Sequence, residues 1–165
     1  MENKHISIDK LLLPADIPDI MERYRDIITH YDSIPGSDHI YPEYKRTRKL
    51  LSVLFPLREH PVHGKTGLHA IERYDDEDHV RKYSYQWKLI IPRMSKKGYH
   101  ISAWGNDPHD HEDTPLEFIV KSEPHHHHHV PGDWSKRQDN WNVWALEEAL
   151  EFVAQYIRSG QEYKP

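Results

Sequence analysis

The sequence predicts an α+β fold: an antiparallel β-meander of about four strands packed by a C-terminal helix, with an N-terminal helical extension. Three observations carry this. Apolar residues recur every three or four positions near both ends of the chain, the period drops to two in the middle, and the period-two segments are joined by short connections. The predicted division is a helical extension over 1–66 and a sheet-plus-helix unit over 67–165. No Pro/Gly linker separates the two, and 165 residues suit one compact unit.

Each element follows from its residues. Over Ala15 to Tyr31, the spacing of Ile17, Ile20, Met21, Tyr24, Ile27, Ile28 and Tyr31 gives one apolar helix face, with Asp16 as cap and Pro18 in the first turn. Tyr41 to Leu57 is expected to form a second helix, with Leu50, Leu51, Leu54 and Phe55 on one side and Lys45, Arg46, Arg48 and Lys49 on the other; Pro56 and Pro61 stop it. Beyond Gly67, Leu68 and Ala70 begin a first strand, which ends at the acidic turn Asp75 to Asp78. Val80 to Ile91 alternates Tyr83, Tyr85, Trp87 and Leu89 with Lys82, Ser84, Gln86 and Lys88, a half-buried strand with an aromatic face. Ile101 and Ala103 against His100, Ser102 and Trp104 make the next strand, and Leu116 to Val120 a shorter one. Asn140 to Arg158 is the last helix, striped by Trp141, Trp144, Leu150, Val153 and Ile157 and closed at Ser159-Gly160.

Composition narrows the chemistry. There is no cysteine, so disulfides, thiolate metal sites and cysteine nucleophiles are excluded. Fifteen histidines make the charge conditional: it is −5 with all of them neutral and rises by fifteen units to +10 with all protonated. No apolar run approaches the roughly 18 residues of a membrane span, and Met1 to Lys10 lacks the apolar centre of a signal peptide, so no membrane association and a cytoplasmic location are expected. Gly64-Lys65-Thr66 ends like a phosphate-binding loop, but Glu59 stands where that loop needs glycine.

Seven of the histidines fall in two segments. In Asp107 to Asp113, His109 and His111 lie two apart among carboxylates, a loose pattern for a divalent metal. In His125 to His129, an extended backbone would send His125, His127 and His129 one way and His126 and His128 the other. A pair of histidines near neutral pH can supply the base and the acid of metal-independent RNA cleavage. Lys45 to Lys49, with Arg81, Lys82, Lys88, Arg93, Lys96 and Lys97, forms a candidate positive stripe for RNA phosphates, interleaved with Tyr and Trp.

Tyr83-Ser-Tyr-Gln-Trp-Lys-Leu-Ile, Trp104-Gly-Asn-Asp-Pro-His-Asp-His, Glu123-Pro-His-His-His-His-His-Val and the Leu146 to Ile157 helix together resemble the TumE-type toxins of bacterial toxin-antitoxin pairs, over residues 67–158. The matching positions are Tyr85, Trp87, Trp104, Asn106, Pro108, His109, Pro124, His125, His126, His128 and Val130; Gly105 and the inserted Asp110 depart from the pattern. The resemblance implies a toxin with an antitoxin protein as partner.

The leading expectation is a toxin-like, metal-independent ribonuclease with His109, His126 and His128 as acid-base residues, assisted by Asn106 and a Lys or Arg, acting on RNA without a cofactor. A first alternative is a zinc- or nickel-binding protein whose ligands include His109, His111, His125 and His127. A second is a non-enzymatic interaction module that binds another protein through the N-terminal helices and the Trp-rich last helix.

Overall fold

The computed structural model describes residues 12–32, 39–91, 100–106, 122, 125–128 and 137–164, with the backbone alone at 126–128 and 137. In chain order the elements are α1 (Ile17–Arg23), β1 (Glu43–Arg46), β2 (Leu50–Pro56), β3 (Lys65–Tyr74), β4 (Val80–Ile91), β5 (His100–Gly105), β6 (His126–His128), β7 (Arg137–Asp139) and α2 (Leu146–Ser159). Strands adjacent in sequence are adjacent in space, and every pair is antiparallel, so the sheet is a seven-stranded meander. The α+β class and the meander with its C-terminal helix are as the sequence predicts. The strand number is larger than the expected four.

Much of the difference lies upstream of Gly67. Residues 43–56 form the hairpin β1–β2, so the expected second helix over Tyr41 to Leu57 is corrected, while the first N-terminal helix is present as α1. Leu50, Leu51, Leu54 and Phe55 suit a helix face, but Leu51, Val53 and Phe55 are buried while Leu50, Ser52 and Leu54 between them are half-exposed, the alternation of a strand. The hairpin turns where Thr47 N–H donates to Leu50 O (2.8 Å) and Lys49 N–H donates to the Thr47 hydroxyl (3.3 Å). Because β3 starts at Lys65, the expected boundary at 66/67 falls inside a strand and both segments share one sheet. The expected Leu116 to Val120 strand lies outside the described residues.

Helix α1 is shorter than the apolar periodicity suggests. Asp16 caps it by accepting from Asp19 N–H (3.1 Å), and Pro18 sits in the first turn. It ends at Arg23, after which Ile28 and Tyr31 form isolated bridges with Leu57 and Ile40. Ile27 is fully buried without being helical. The apolar stripe there docks an irregular segment onto the sheet.

One face of the sheet carries the core. Leu51, Val53 and Phe55 of β2, Leu68 and Ala70 of β3, Tyr83, Tyr85 and Trp87 of β4, and Trp104 of β5 pack with Leu146, Leu150, Val153 and Ile157 of α2. Each such aliphatic side chain contributes about 2 kcal/mol by leaving water. Trp104 meets Phe152 edge-on, with ring centroids 5.2 Å apart. Helix α2 starts six residues after Asn140, because the Asn140 side chain accepts from Val143 N–H (3.0 Å) and donates to Val143 O (2.8 Å), folding that stretch into a turn. Trp141, expected on the apolar stripe, precedes the helix and is exposed. Gly160 ends α2 at φ 74°, where its N–H reaches Tyr156 O.

A carboxylate is buried in this core. Glu72 accepts hydrogen bonds from Ala15 N–H (3.1 Å), the Tyr74 hydroxyl (3.0 Å) and the Tyr85 hydroxyl (2.6 Å). Burial first, and then Glu72 itself, push the Tyr85 hydroxyl well above its ordinary pKa, so it remains a donor. The three bonds satisfy the carboxylate and fasten the N-terminal segment to the sheet.

Candidate functional site

Strand β6 holds the middle of the five-histidine run. His126, His127 and His128 pair with Gly105, Trp104 and Ala103 of β5 on one side and with Asp139, Gln138 and Arg137 of β7 on the other. The backbone there is extended, as the alternation reading requires, and is tied on both sides. His109 and His111 lie outside the described residues, as does the structure of His129.

His125 occupies a different setting from the strand that follows it. Its ring is 7% exposed and stacks on Trp144, with centroids 3.8 Å apart and an interplanar angle of 11°. Its Nδ1 lies 2.9 Å from the Tyr83 hydroxyl, and the Tyr83 ring is stacked 5.8 Å away. Burial raises the Tyr83 hydroxyl far above its ordinary pKa, with a smaller push from Glu148. The backbone around His125 is fixed as well: the Ser122 hydroxyl donates to His125 O (2.6 Å) and accepts from Asn140 N–H (2.6 Å). Asn140 O accepts in turn from Trp144 Nε1 (2.7 Å). His125, a candidate metal ligand in the sequence, is thus packed into a buried polar network between the sheet and the approach to α2.

Asn106 also has a defined task. Its Oδ1 accepts from Tyr83 N–H (2.8 Å) and its Nδ2 donates to Arg81 O (3.0 Å). These are the backbone groups of β4 just beyond the point where β5 stops pairing, so the side-chain amide continues the ladder that the backbone ends. They also flank an irregularity in the other direction. Arg73 pairs with Lys82 while Tyr74 pairs with Val80, leaving Arg81 as the extra residue of a β-bulge.

The sheet registers connect positions that are distant in sequence. His69 pairs with Gln86, Gln86 with Ala103, and Ala103 with His128, one transverse row across four strands. Three strand spacings put His69 and His128 about 14 Å apart along that row. Burial, aided by the Lys88 ammonium, lowers the His69 pKa and favours a neutral ring near pH 7. Burial likewise lowers the Lys88 pKa. His69 and the Tyr83, Ser122 and Asn140 network were not singled out from sequence; a lone histidine in an alternating strand and three scattered polar residues offer no local spacing signal.

Among the described residues, no group of three His, Asp or Glu side chains is placed to hold a metal ion, and no helix is long and apolar enough to cross a membrane. Comparison with protein-family models, curated proteins and solved structures finds no match to the chain.

Proposed function

We propose that the protein is a toxin-like ribonuclease, similar to the TumE-type toxins, which cleaves RNA without a metal by using His126 and His128. The observation that carries the reading is the setting of these two histidines: they occupy alternate positions of a strand paired on both edges, not of a loop. Alternate positions on a strand are about 7 Å apart. One histidine removes the proton of the 2′-hydroxyl, whose oxygen attacks phosphorus; the other protonates the departing 5′-oxygen as the P–O5′ bond breaks. The products are a 2′,3′-cyclic phosphate and a free 5′-hydroxyl. His109 is the third acid-base candidate, and Asn106 enters this scheme by fixing the backbone of β4 beside the end of β5.

The order of elements adds support. The Tyr-x-Tyr-x-Trp segment lies on β4, Trp104 on the neighbouring β5, His126 to His128 on β6 next to it, and the helix afterwards on their core face. The test is RNA cleavage by protein prepared without an affinity tag. A His126→Ala, His128→Ala double variant is expected to lose about 10²-fold or more in rate, the scale of one acid-base contribution, with its thermal stability kept. Equal cleavage by wild type and double variant would overturn the proposal.

A further inference from the structure

The bulge in β4 gathers cations on the sheet face opposite the core. Val80 and Tyr83 are buried, whereas Arg81 and Lys82 between them are both exposed, so the extra residue sends two adjacent cations to the outer side. There they meet Arg73, which is exposed and directly paired with Lys82 on the neighbouring strand. Like charges placed opposite each other on adjacent strands repel. Lys49, from the β1–β2 turn, completes a cleft of about 450 Å³.

Two carboxylates line the same cleft, and both are engaged. Asp75 is folded into its own turn, accepting from Glu77 N–H (2.8 Å) and His79 N–H (3.0 Å). These backbone donors are the leading cause that lowers its pKa. Asp76 pairs with Lys49. Arg73 and Arg81 have no carboxylate partner among the described residues. Lys45 and Arg48, also exposed, extend the positive charge towards β1, giving a band across four strands, about 14 Å at ordinary strand spacing. A single small anion would use one end of such a band; a chain of phosphates would use its length.

We infer that this cleft, centred on Arg73 and Arg81 and flanked by Lys49 and Lys82, binds the phosphodiester backbone of single-stranded RNA. The inference rests on the proposed function for the identity of the polymer, and it adds where that polymer lies. Asn106 is a positioning residue for the cleft: its amide holds Arg81 O and Tyr83 N–H and so keeps the bulge in shape.

The test uses the full chain and a fluorescent 2′-O-methyl RNA 12-mer, which binds but cannot form a cyclic phosphate, followed by anisotropy over a series of salt concentrations. Arg73→Gln, Arg81→Gln should weaken binding about tenfold or more at low salt and flatten the plot of log affinity against log salt by about 1.4, two phosphate contacts at the single-strand slope. Arg25→Gln, on the N-terminal segment where Arg25 pairs with Glu22, should change neither. Asp76→Asn, which releases Lys49, should tighten binding. Unchanged affinity in the double variant, unchanged salt slope, or no binding by the wild-type protein would each overturn the inference. The two proposals fail separately: loss of oligonucleotide binding in the double variant without any RNA cleavage by wild type sinks the ribonuclease and leaves the cleft, whereas cleavage that depends on His126 and His128 with normal binding in the double variant does the reverse.

Discussion

Replacing His125 by alanine should damage the fold, although His125 belongs to the same run as the histidines proposed for catalysis. The ring is 7% exposed, lies 3.8 Å from the Trp144 ring and accepts or donates at 2.9 Å to the Tyr83 hydroxyl. Loss of the close stack costs about 1 kcal/mol. The Tyr83 hydroxyl would keep weaker contacts with Val143 O and Asn140 Nδ2, both at 3.4 Å, so losing its short bond costs about 1 kcal/mol, not the full penalty of an unsatisfied group. The void left between Trp144 and Tyr83 adds about 1 kcal/mol or more. The sum is about 3 kcal/mol, which for a chain of this size corresponds to a fall in Tm of about 6 to 12 °C. Urea unfolding followed by tryptophan fluorescence, with His125→Ala compared against His125→Phe, measures it. Phenylalanine keeps the stack and the volume and should recover about two-thirds of the loss. A cost below about 1 kcal/mol for alanine, or equal costs for the two variants, would refute the placement of His125 in the core and the energy argument built on it.

Other expectations follow from the same contacts. Glu72→Ala strands the Ala15 N–H and two tyrosyl hydroxyls in the core, so a loss of at least about 3 kcal/mol is expected in chemical denaturation, with Glu72→Gln less damaging because one acceptor oxygen remains. Asn106→Ala should cost about 1 to 2 kcal/mol for two lost backbone contacts, and hydrogen exchange should speed up at the Tyr83 amide; unchanged exchange there would contradict the ladder-extending role. The C-terminal tail should loosen in acid. His63 Nε2 accepts from Tyr163 N–H (3.0 Å), which requires that nitrogen to be unprotonated, and burial first, then the neighbouring His60, lower the His63 pKa below its ordinary 6.5. A lowered folded pKa means the stabilisation is complete above the unfolded value and is lost as the pH falls through 6.5 towards the folded value. The protection of the Tyr163 amide, its exchange rate taken relative to the intrinsic base-catalysed rate, should therefore fall with acid across that window in wild type and lose this pH dependence in His63→Gln.

The parts of the fold that rest on a single dominant period were legible in the sequence. Val80–Ile91 has four aromatic or large apolar residues on alternate positions, and the strand observed has the predicted limits. Asp16 and Gly160 likewise mark the observed helix ends through local backbone chemistry. Tyr41 to Leu57 was misleading because adjacent leucines satisfy both periods, and the choice is made by pairing with β3, from Pro56 with Gly67 to Leu50 with Arg73, partners too far along the chain for a local pattern to register. The candidate site shows the same division. The extended state of His126 to His128 could be anticipated from alternation, but the separation of His125 from its neighbours depends on Trp144, Tyr83 and Asn140, which no spacing rule connects. The bulge at Arg81 was equally hidden, since it is visible only as a mismatch between the registers at Arg73 and Tyr74.

The central claim is most directly tested by identifying the ends of the RNA fragments the protein makes. Untagged protein, incubated near pH 7 with a short RNA in excess chelator, should yield 2′,3′-cyclic phosphate and 5′-hydroxyl termini by mass spectrometry, with no product from the 2′-O-methyl form of the same sequence. Fragments ending in 3′-hydroxyl and 5′-phosphate, cleavage that stops when metal is removed, or no cleavage at equimolar protein and RNA would contradict the histidine mechanism.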